Sequence, residues 1–157
     1  MIQRIQSLLL LVATICFVVA CFMPVAHITT SEAYYVLTPW SIQESIPDGA
    51  VIHPTYFIGL LQVLLAALSF VTIFLYKKRP LQSKMCLVAM FVNFILLILM
   101  LWVYPDRTIP QISQLTGGEL KYSMWALISI VPLACFYFAN KYIIQDEKKV
   151  RAADRLR

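Results

Sequence analysis

Cys86-Leu-Val-Ala-Met-Phe-Val-Asn-Phe-Ile-Leu-Leu-Ile-Leu-Met-Leu-Trp-Val103 decides the fold class: it holds no charge, no Gly and no Pro, and Asn93 is its one carboxamide. About 20 helical residues rising about 1.5 Å each cross a hydrocarbon layer about 30 Å thick, and a charge at mid-depth would cost roughly 2.5–3.5 kcal/mol. Three more charge-free stretches lie outward from this one. Residues 5–31 are uncharged, with an apolar part from Leu8 to Met23 ahead of Pro24. Residues 51–76 are uncharged, with a dense apolar run from Phe57 to Tyr76, and residues 122–140 are uncharged up to Lys141. Four spans follow, at residues 5–24, 56–76, 84–104 and 122–142. The expected fold is an all-α membrane protein: one four-helix transmembrane bundle over 1–157, with a small outer loop region.

Composition agrees. Of 157 residues, 61% are hydrophobic and 13% charged, against roughly 45–50% and 25% in soluble globular proteins. The mean hydropathy is +0.77. A soluble enzyme, a disordered chain and a secreted disulfide scaffold are excluded, because a fold of 18.0 kDa has too little interior for that much apolar surface.

The formal charge of +5 is sorted along the chain. Arg4 precedes the first span, Lys77, Lys78, Arg79 and Lys84 sit in the hairpin over 77–84, and Lys141, Lys148, Lys149, Arg151, Arg155 and Arg157 lie in and before the tail over 143–157. The loop over 25–55 has no Lys or Arg but holds Glu32, Glu44 and Asp48, while the loop over 105–121 has Arg107 and Lys121 offset by Asp106 and Glu119. Basic residues are retained on the cytoplasmic side. With both termini inside, eleven of the thirteen basic residues are inside. All three Trp (Trp40, Trp102, Trp125) then fall on the outer side, with Tyr76 and Tyr142 at the inner boundary, as aromatic residues at membrane interfaces do.

Val18-Val-Ala-Cys21 loosely resembles a lipoprotein signal, with a small residue before a cysteine. Phe22-Met-Pro24 lacks the polar, flexible start of a mature lipoprotein, and the n-region is poorly charged, so the first span is read as retained. In the first outer loop Tyr34-Tyr-Val-Leu37 has strand composition and Pro47-Asp-Gly49 is a turn signal. Residues 40–46 suit a short helix, with Ser41 and Glu44 at capping-box spacing. Pro110 to Thr116 suits a helical turn or two, stopped by Gly117-Gly118. Pro80 suits the first turn of the third span, and the tail is expected to extend the fourth helix.

Reactive chemistry is scarce. Cys16, Cys21, Cys86 and Cys135 all lie within spans and form no Cys-x-x-Cys, so they read as small apolar residues rather than a redox pair. His27 and His53 are both on the outer side, but no ligand spacing accompanies them and no metal or cofactor is expected. The spans contain no Asp, Glu, Lys, Arg or His of the kind an ion or proton pathway needs. Gln62 and Asn93 are expected to make interhelical hydrogen bonds, at about 0.6 kcal/mol each on average, and Ser129 is a further candidate for an intramembrane polar contact. Pro132 is expected to kink the fourth span, freeing a carbonyl for Ser129 or a neighbour. The basic hairpin reads as topology and contact with anionic headgroups, at about 1 kcal/mol per residue, rather than as a nucleic-acid site.

Two ends of the chain are distinctive: Met1-Ile-Gln-Arg-Ile-Gln6, and Asn140-Lys-Tyr-Ile-Ile-Gln-Asp-Glu-Lys-Lys-Val-Arg-Ala-Ala-Asp-Arg-Leu-Arg157, with Lys78-Arg-Pro-Leu-Gln-Ser-Lys-Met-Cys86 between them. Together they resemble domain of unknown function (DUF) family 4293, small four-span membrane proteins of Gram-negative bacteria. The resemblance implies a bacterial inner-membrane location and carries no activity or catalytic residue. It directs attention to a charged cytoplasmic platform of Arg4, Lys77, Lys78, Arg79, Lys84, Asp146, Glu147, Arg151, Asp154, Arg155 and Arg157, in which Asp146, Glu147 and Asp154 are expected to pair with hairpin or tail basics. The expected function is that of a non-enzymatic accessory or scaffold subunit with membrane lipids and a protein partner. The alternatives are a transporter or binder of a small or lipophilic solute, and a membrane enzyme acting on lipid or quinone.

Overall fold

The computed structural model describes residues 2–29, 34–44, 51–103 and 119–155. Four helices dominate: α1 (Ile2–Ala20), α2 (Tyr56–Phe74), α3 (Arg79–Ile98) and α4 (Val131–Arg155). α3 continues as a π-helical stretch, Leu99–Val103, and a 3-10 stretch, Met124–Ile130, runs directly into α4. Three helical segments, Tyr56–Phe74, Arg79–Val103 and Met124–Val150, are long and apolar enough to cross a membrane. The apolar part of α1, Ile5–Ala20, is shorter.

The helices form a ring. α1 packs on α2 and α4, and α3 packs on the same two. Each helix brings a buried alanine to the centre (Ala13, Ala66, Ala89 and Ala139), interleaved with Leu10, Phe17, Leu65, Leu96, Phe136 and Ile143. Small residues let helix backbones approach closely where lipid supplies no hydrophobic drive between them. Phe17 and Phe136 stack across α1 and α4 with ring centroids 6.1 Å apart. The outer surface of the ring is apolar as well: Leu8, Leu60, Phe91 and Phe94 are all more than half exposed.

The chain reverses between α2 and α3 through a 3-10 turn, Leu75–Lys77, and the single residue Lys78. Pro80 sits in the first turn of α3, where its missing N–H breaks no helical bond.

At the other end of the ring lies a five-stranded antiparallel sheet in the order β4-β3-β2-β1-β5. Its strands are β1 (Ala26–Thr29), β2 (Tyr34–Leu37), β3 (Ser41–Glu44), β4 (Val51–Pro54) and β5 (Glu119–Tyr122). The first four are a meander from the segment between α1 and α2. β5 comes from the segment before α4 and pairs with β1, Ala26 opposite Tyr122 and His27 opposite Lys121. The sheet's inner face is built from Ala26, Ile28, Leu37 and Ile42, which pack with Met100 and Ala126 of the helices.

Two expectations are revised here. Residues 41–44 form a strand rather than the start of a short helix. Thr38 N–H donates to the Ser41 carbonyl (3.0 Å), and Ser41 N–H donates to Thr38 Oγ1 (3.0 Å), so Thr38-Pro-Trp-Ser41 closes a hairpin. That turn sends Ile42 into the sheet core, and the tertiary gain overrides the local capping signal. Pro132, in turn, is the second residue of α4 and does not interrupt an α-helix midway. Its missing N–H falls where 3-10 geometry gives way to α, so the proline marks a change of helix type. The Pro47-Asp-Gly49 turn and the segment from Pro110 to Thr116 lie outside the described residues.

Trp40 joins the sheet to the ring. Its indole Nε1–H donates to the Cys21 carbonyl (2.7 Å), just beyond the end of α1, where no further turn supplies a donor. Its ring lies on Gly59 in the first turn of α2, so closely that a Cβ there would stand 2.7 Å from Cδ2 and Cε3. Gly59 N–H donates to the Pro39 carbonyl (3.0 Å) and Thr55 N–H to the Trp40 carbonyl (2.8 Å). Gly59→Ala is therefore expected to lower stability by about 1–3 kcal/mol through overpacking, read as a lower thermal midpoint by circular dichroism of the purified protein. The same change made in a Trp40→Leu background should cost much less; equal cost in both backgrounds would remove Trp40 as the cause.

Candidate functional site

Polar side chains inside the ring fall into two groups. The first clusters near the α2–α3 turn, the end at which the charged residues gather. Gln82, on the first turns of α3, donates from Nε2 to the Thr72 carbonyl of α2 (3.2 Å), and Thr72 donates to its own Leu68 carbonyl (2.6 Å). Ser83 donates to Asn140 Oδ1 of α4 (2.6 Å). One turn outward, the Arg79 guanidinium lies 3.7 Å from the Asp146 carboxylate. At that distance the contact is a charge pair rather than a short hydrogen bond, and its partly exposed partners limit it to about 1 kcal/mol at most. Its consequence is geometric: it fixes the hairpin against the base of α4.

The second group is deeper. Ser69 of α2 donates to the Leu10 carbonyl of α1 (2.9 Å), which Thr14 also reaches (2.9 Å). Gln62, Asn93 and Ser129, from α2, α3 and the 3-10 stretch before α4, are wholly buried. Asn93 Nδ2 donates to the Ser129 backbone carbonyl across a long 3.4 Å. Counting ten residues along each antiparallel helix from the Gln82–Thr72 bond sets Gln62 level with Val92, beside Asn93. Both ends of the Gln62 amide, Asn93 Oδ1 and Ser129 Oγ have no hydrogen-bond partner. An unpaired buried polar group costs about 1–3 kcal/mol, so this level is the weakest-satisfied part of the interior. Carboxamides and a hydroxyl do not titrate near neutral pH, so the group can hold a polar molecule or a neighbouring helix but cannot move a proton as acid or base.

The interhelical bonds expected of Gln62 and Asn93 therefore reduce to one, from Asn93 to the Ser129 backbone carbonyl, and the Ser129 hydroxyl has no partner. Sequence reading passed over Gln82, Ser83 and Asn140 as contacts. Their signal is position: small or amide side chains, uncharged, at the levels where three helices end together. Of the charged residues singled out, Arg79 and Asp146 meet, and Lys78 stands at the N-cap position of α3 with no capping bond from its side chain. Lys84, Lys148 and Lys149 are exposed on their helices and Glu147 is half-buried. Arg4, Arg151, Asp154 and Arg155 lie on helical backbone, and Lys77 in the turn; the side chains of these five are outside the described set, as is all of Arg157.

The two histidines do not form one site. His27 on β1 stacks on Tyr34 (ring centroids 5.5 Å, 17° between planes), with Nδ1 buried and unpartnered. His53 is on β4, in register with Ile42 of β3. Two strands intervene, so the backbones stand about 14 Å apart at about 4.8 Å per strand. Among the described residues no group of three or more His, Cys, Asp or Glu could hold a metal ion. All four cysteines are free thiols.

Gln62→Leu removes two unpartnered polar atoms from an apolar interior while nearly conserving volume. It is expected to be neutral or to stabilise by up to about 2 kcal/mol in equilibrium unfolding, whereas Ser69→Ala, which breaks a formed bond, should destabilise by about 0.5–1.5 kcal/mol. A loss above 1 kcal/mol for Gln62→Leu would show that Gln62 holds an interaction of its own.

The family model described as Domain of unknown function (DUF4293) matches residues 2–156, nearly the whole chain. No curated protein matches it. With a match that takes in all four helices and the sheet, the chain belongs to the DUF4293 family.

Proposed function

We propose that this protein is a four-span integral protein of the bacterial inner membrane, with both termini cytoplasmic, acting as a non-enzymatic accessory or scaffold subunit. The observation that carries the reading is the combination of an apolar outer surface around the ring with charge confined to its ends. Leu8, Phe91 and Trp102, between 60% and 71% exposed, belong in hydrocarbon rather than water. α1 is read as the fourth span: its apolar part, Ile5–Ala20, reaches about 24 Å, and residues 2–4 carry the helix on toward the charged end. The basic residues of the hairpin and tail favour the cytoplasm at that end, which leaves the sheet on the outer side, where water solvates its edges.

In this reading the working surface is the cytoplasmic one. The Arg79–Asp146 pair and the Ser83–Asn140 bond hold the hairpin beside α4, so hairpin and tail together present a mixed-charge surface to a protein partner. Anionic lipid headgroups contact its basic rim.

A second reading, a carrier or binder of a small solute, is favoured by one observation: the unpartnered polar atoms of Gln62, Asn93 and Ser129 at one level of the interior. Those atoms suit an uncharged ligand with both donor and acceptor groups.

Crosslinking in native membranes followed by mass spectrometry tests the scaffold reading. The full chain should yield one reproducible protein partner crosslinked to hairpin or tail lysines, and the charge-reversed Arg79→Asp should weaken capture several-fold. The double reversal Arg79→Asp with Asp146→Arg should restore it. Failure to capture a protein partner at hairpin or tail, or capture indifferent to these changes, would refute the scaffold role.

A further inference from the structure

The outward face of α4 changes chemistry along its length. Ala134, Tyr137, Lys141, Ile144, Gln145 and Lys148 follow the spacing i, i+3, i+7, i+10, i+11, i+14, which places them on one stripe of the helix. Tyr137 is 55% exposed and Ile144 37% exposed. A groove of about 350 Å³ runs along this stripe, lined by Tyr137, Asn140, Lys141, Ile144, Gln145 and Lys148. Among the described residues no carboxylate lines it. Of the acidic residues on this helix, Asp146 is about 140° around from Lys141 at 100° per residue and faces Arg79 of α3, while the half-buried Glu147 lies about 20° beyond Asn140, at the edge of the groove. Ser83 holds the oxygen of the Asn140 amide, which leaves its two N–H donors uncommitted by that bond.

We propose that this groove is a specific site for an anionic phospholipid, its phosphate bound by Lys141, Lys148 and the Asn140 and Gln145 amides, its acyl chains running from there past Tyr137 and Ala134 toward the middle of the ring. Three features select that occupant. The polar lining is all cationic or able to donate, which complements a phosphate. The apolar part adjoins the cationic part on the same stripe, which suits an amphiphile and not a free phosphate. Lys141 and Lys148 are two turns apart, about 10.5 Å, a span that lets two long side chains converge on one headgroup from above and below. Basic pockets at the cytoplasmic ends of membrane helices take anionic headgroups by this chemistry. The inference rests on the membrane reading above and adds a lipid class and a place to it.

The test uses full-length protein reconstituted into phosphatidylcholine vesicles with and without 20 mol% phosphatidylglycerol, followed by flotation and native mass spectrometry of lipids retained on extraction. The protein should float with both vesicle types and retain phosphatidylglycerol over phosphatidylcholine by roughly tenfold or more. Lys141→Gln with Lys148→Gln should bring that ratio close to one, while Lys121→Gln, on β5 at the opposite end of the ring, should leave it within twofold. Competition by inorganic phosphate as effective as that by the lipid would identify a phosphate site and overturn the lipid assignment. Flotation with the preference unaffected by Lys141→Gln and Lys148→Gln would overturn the groove alone. Failure to float would overturn the membrane reading and the site together.

Discussion

An apolar outer surface on a ring of four helices is the constraint from which the rest of the structure follows. Apolar area left in water costs about 25 cal/mol per Å², and here the exposed side includes Leu8, Leu60, Phe91, Trp102 and Met124. In hydrocarbon that penalty vanishes and another replaces it: every backbone N–H and carbonyl must be paired within the chain. Several polar side chains of the ring meet that demand by turning to helix carbonyls, while Gln62 and the Ser129 hydroxyl find no partner. Ser69 and Thr14 bond to Leu10, Thr72 to Leu68, and Gln82 to Thr72. The sheet, whose edges need solvent, stands at one end of the ring, and the ion pair of Arg79 and Asp146 at the other.

The join between sheet and helices depends on one aromatic residue. Trp40 is at once the corner of a hairpin, the donor for a carbonyl at the end of α1 and the lid on Gly59 at the start of α2. Val25 N–H donates to the Leu37 carbonyl and Ser123 N–H to the Val25 carbonyl, so the chain leaving α1 is stitched to both outer segments. Tyr122, at the end of β5, adds a hydroxyl bond to the Leu101 carbonyl (2.6 Å). The sheet is therefore clamped to the ring through α1, α2 and the end of α3.

Legibility in the sequence followed the range of the forces involved. Helices were readable because a charge-free run of 18 or more residues is a local and nearly unambiguous signal. The tail helix after Lys141 and the position of Pro80 were readable from other local signals, Glu147 and Arg151 four residues apart with the acid first and the preference of proline for a first helical turn. Tyr34–Leu37 announced itself as a strand by β-branched and aromatic composition, but Ser41–Glu44 carried a capping-box spacing and became a strand because Ile42 is drawn into the sheet core. β5 had no local signal at all: its partner β1 is about ninety residues away, and only the closed ring brings the two together. The charged end was legible in residue type, and the meeting of Arg79 with Asp146 follows from antiparallel packing of α3 on α4. Gly59 was invisible, since its role depends on a tryptophan from another element. Gln62 was readable as buried and polar, yet its lack of a partner depends on neighbours that no periodicity reveals.

Four crossings with the sheet on one side and the charged end on the other is the claim on which the account stands. The most direct measurement is labelling with a membrane-impermeant maleimide of single cysteines placed at Lys121, Lys78 and Lys149, with Cys16, Cys21, Cys86 and Cys135 replaced by serine. The account predicts that Lys121→Cys reacts in intact cells, and that Lys78→Cys and Lys149→Cys react only after permeabilisation. Labelling of Lys121→Cys and Lys149→Cys from the same side of the membrane would contradict it.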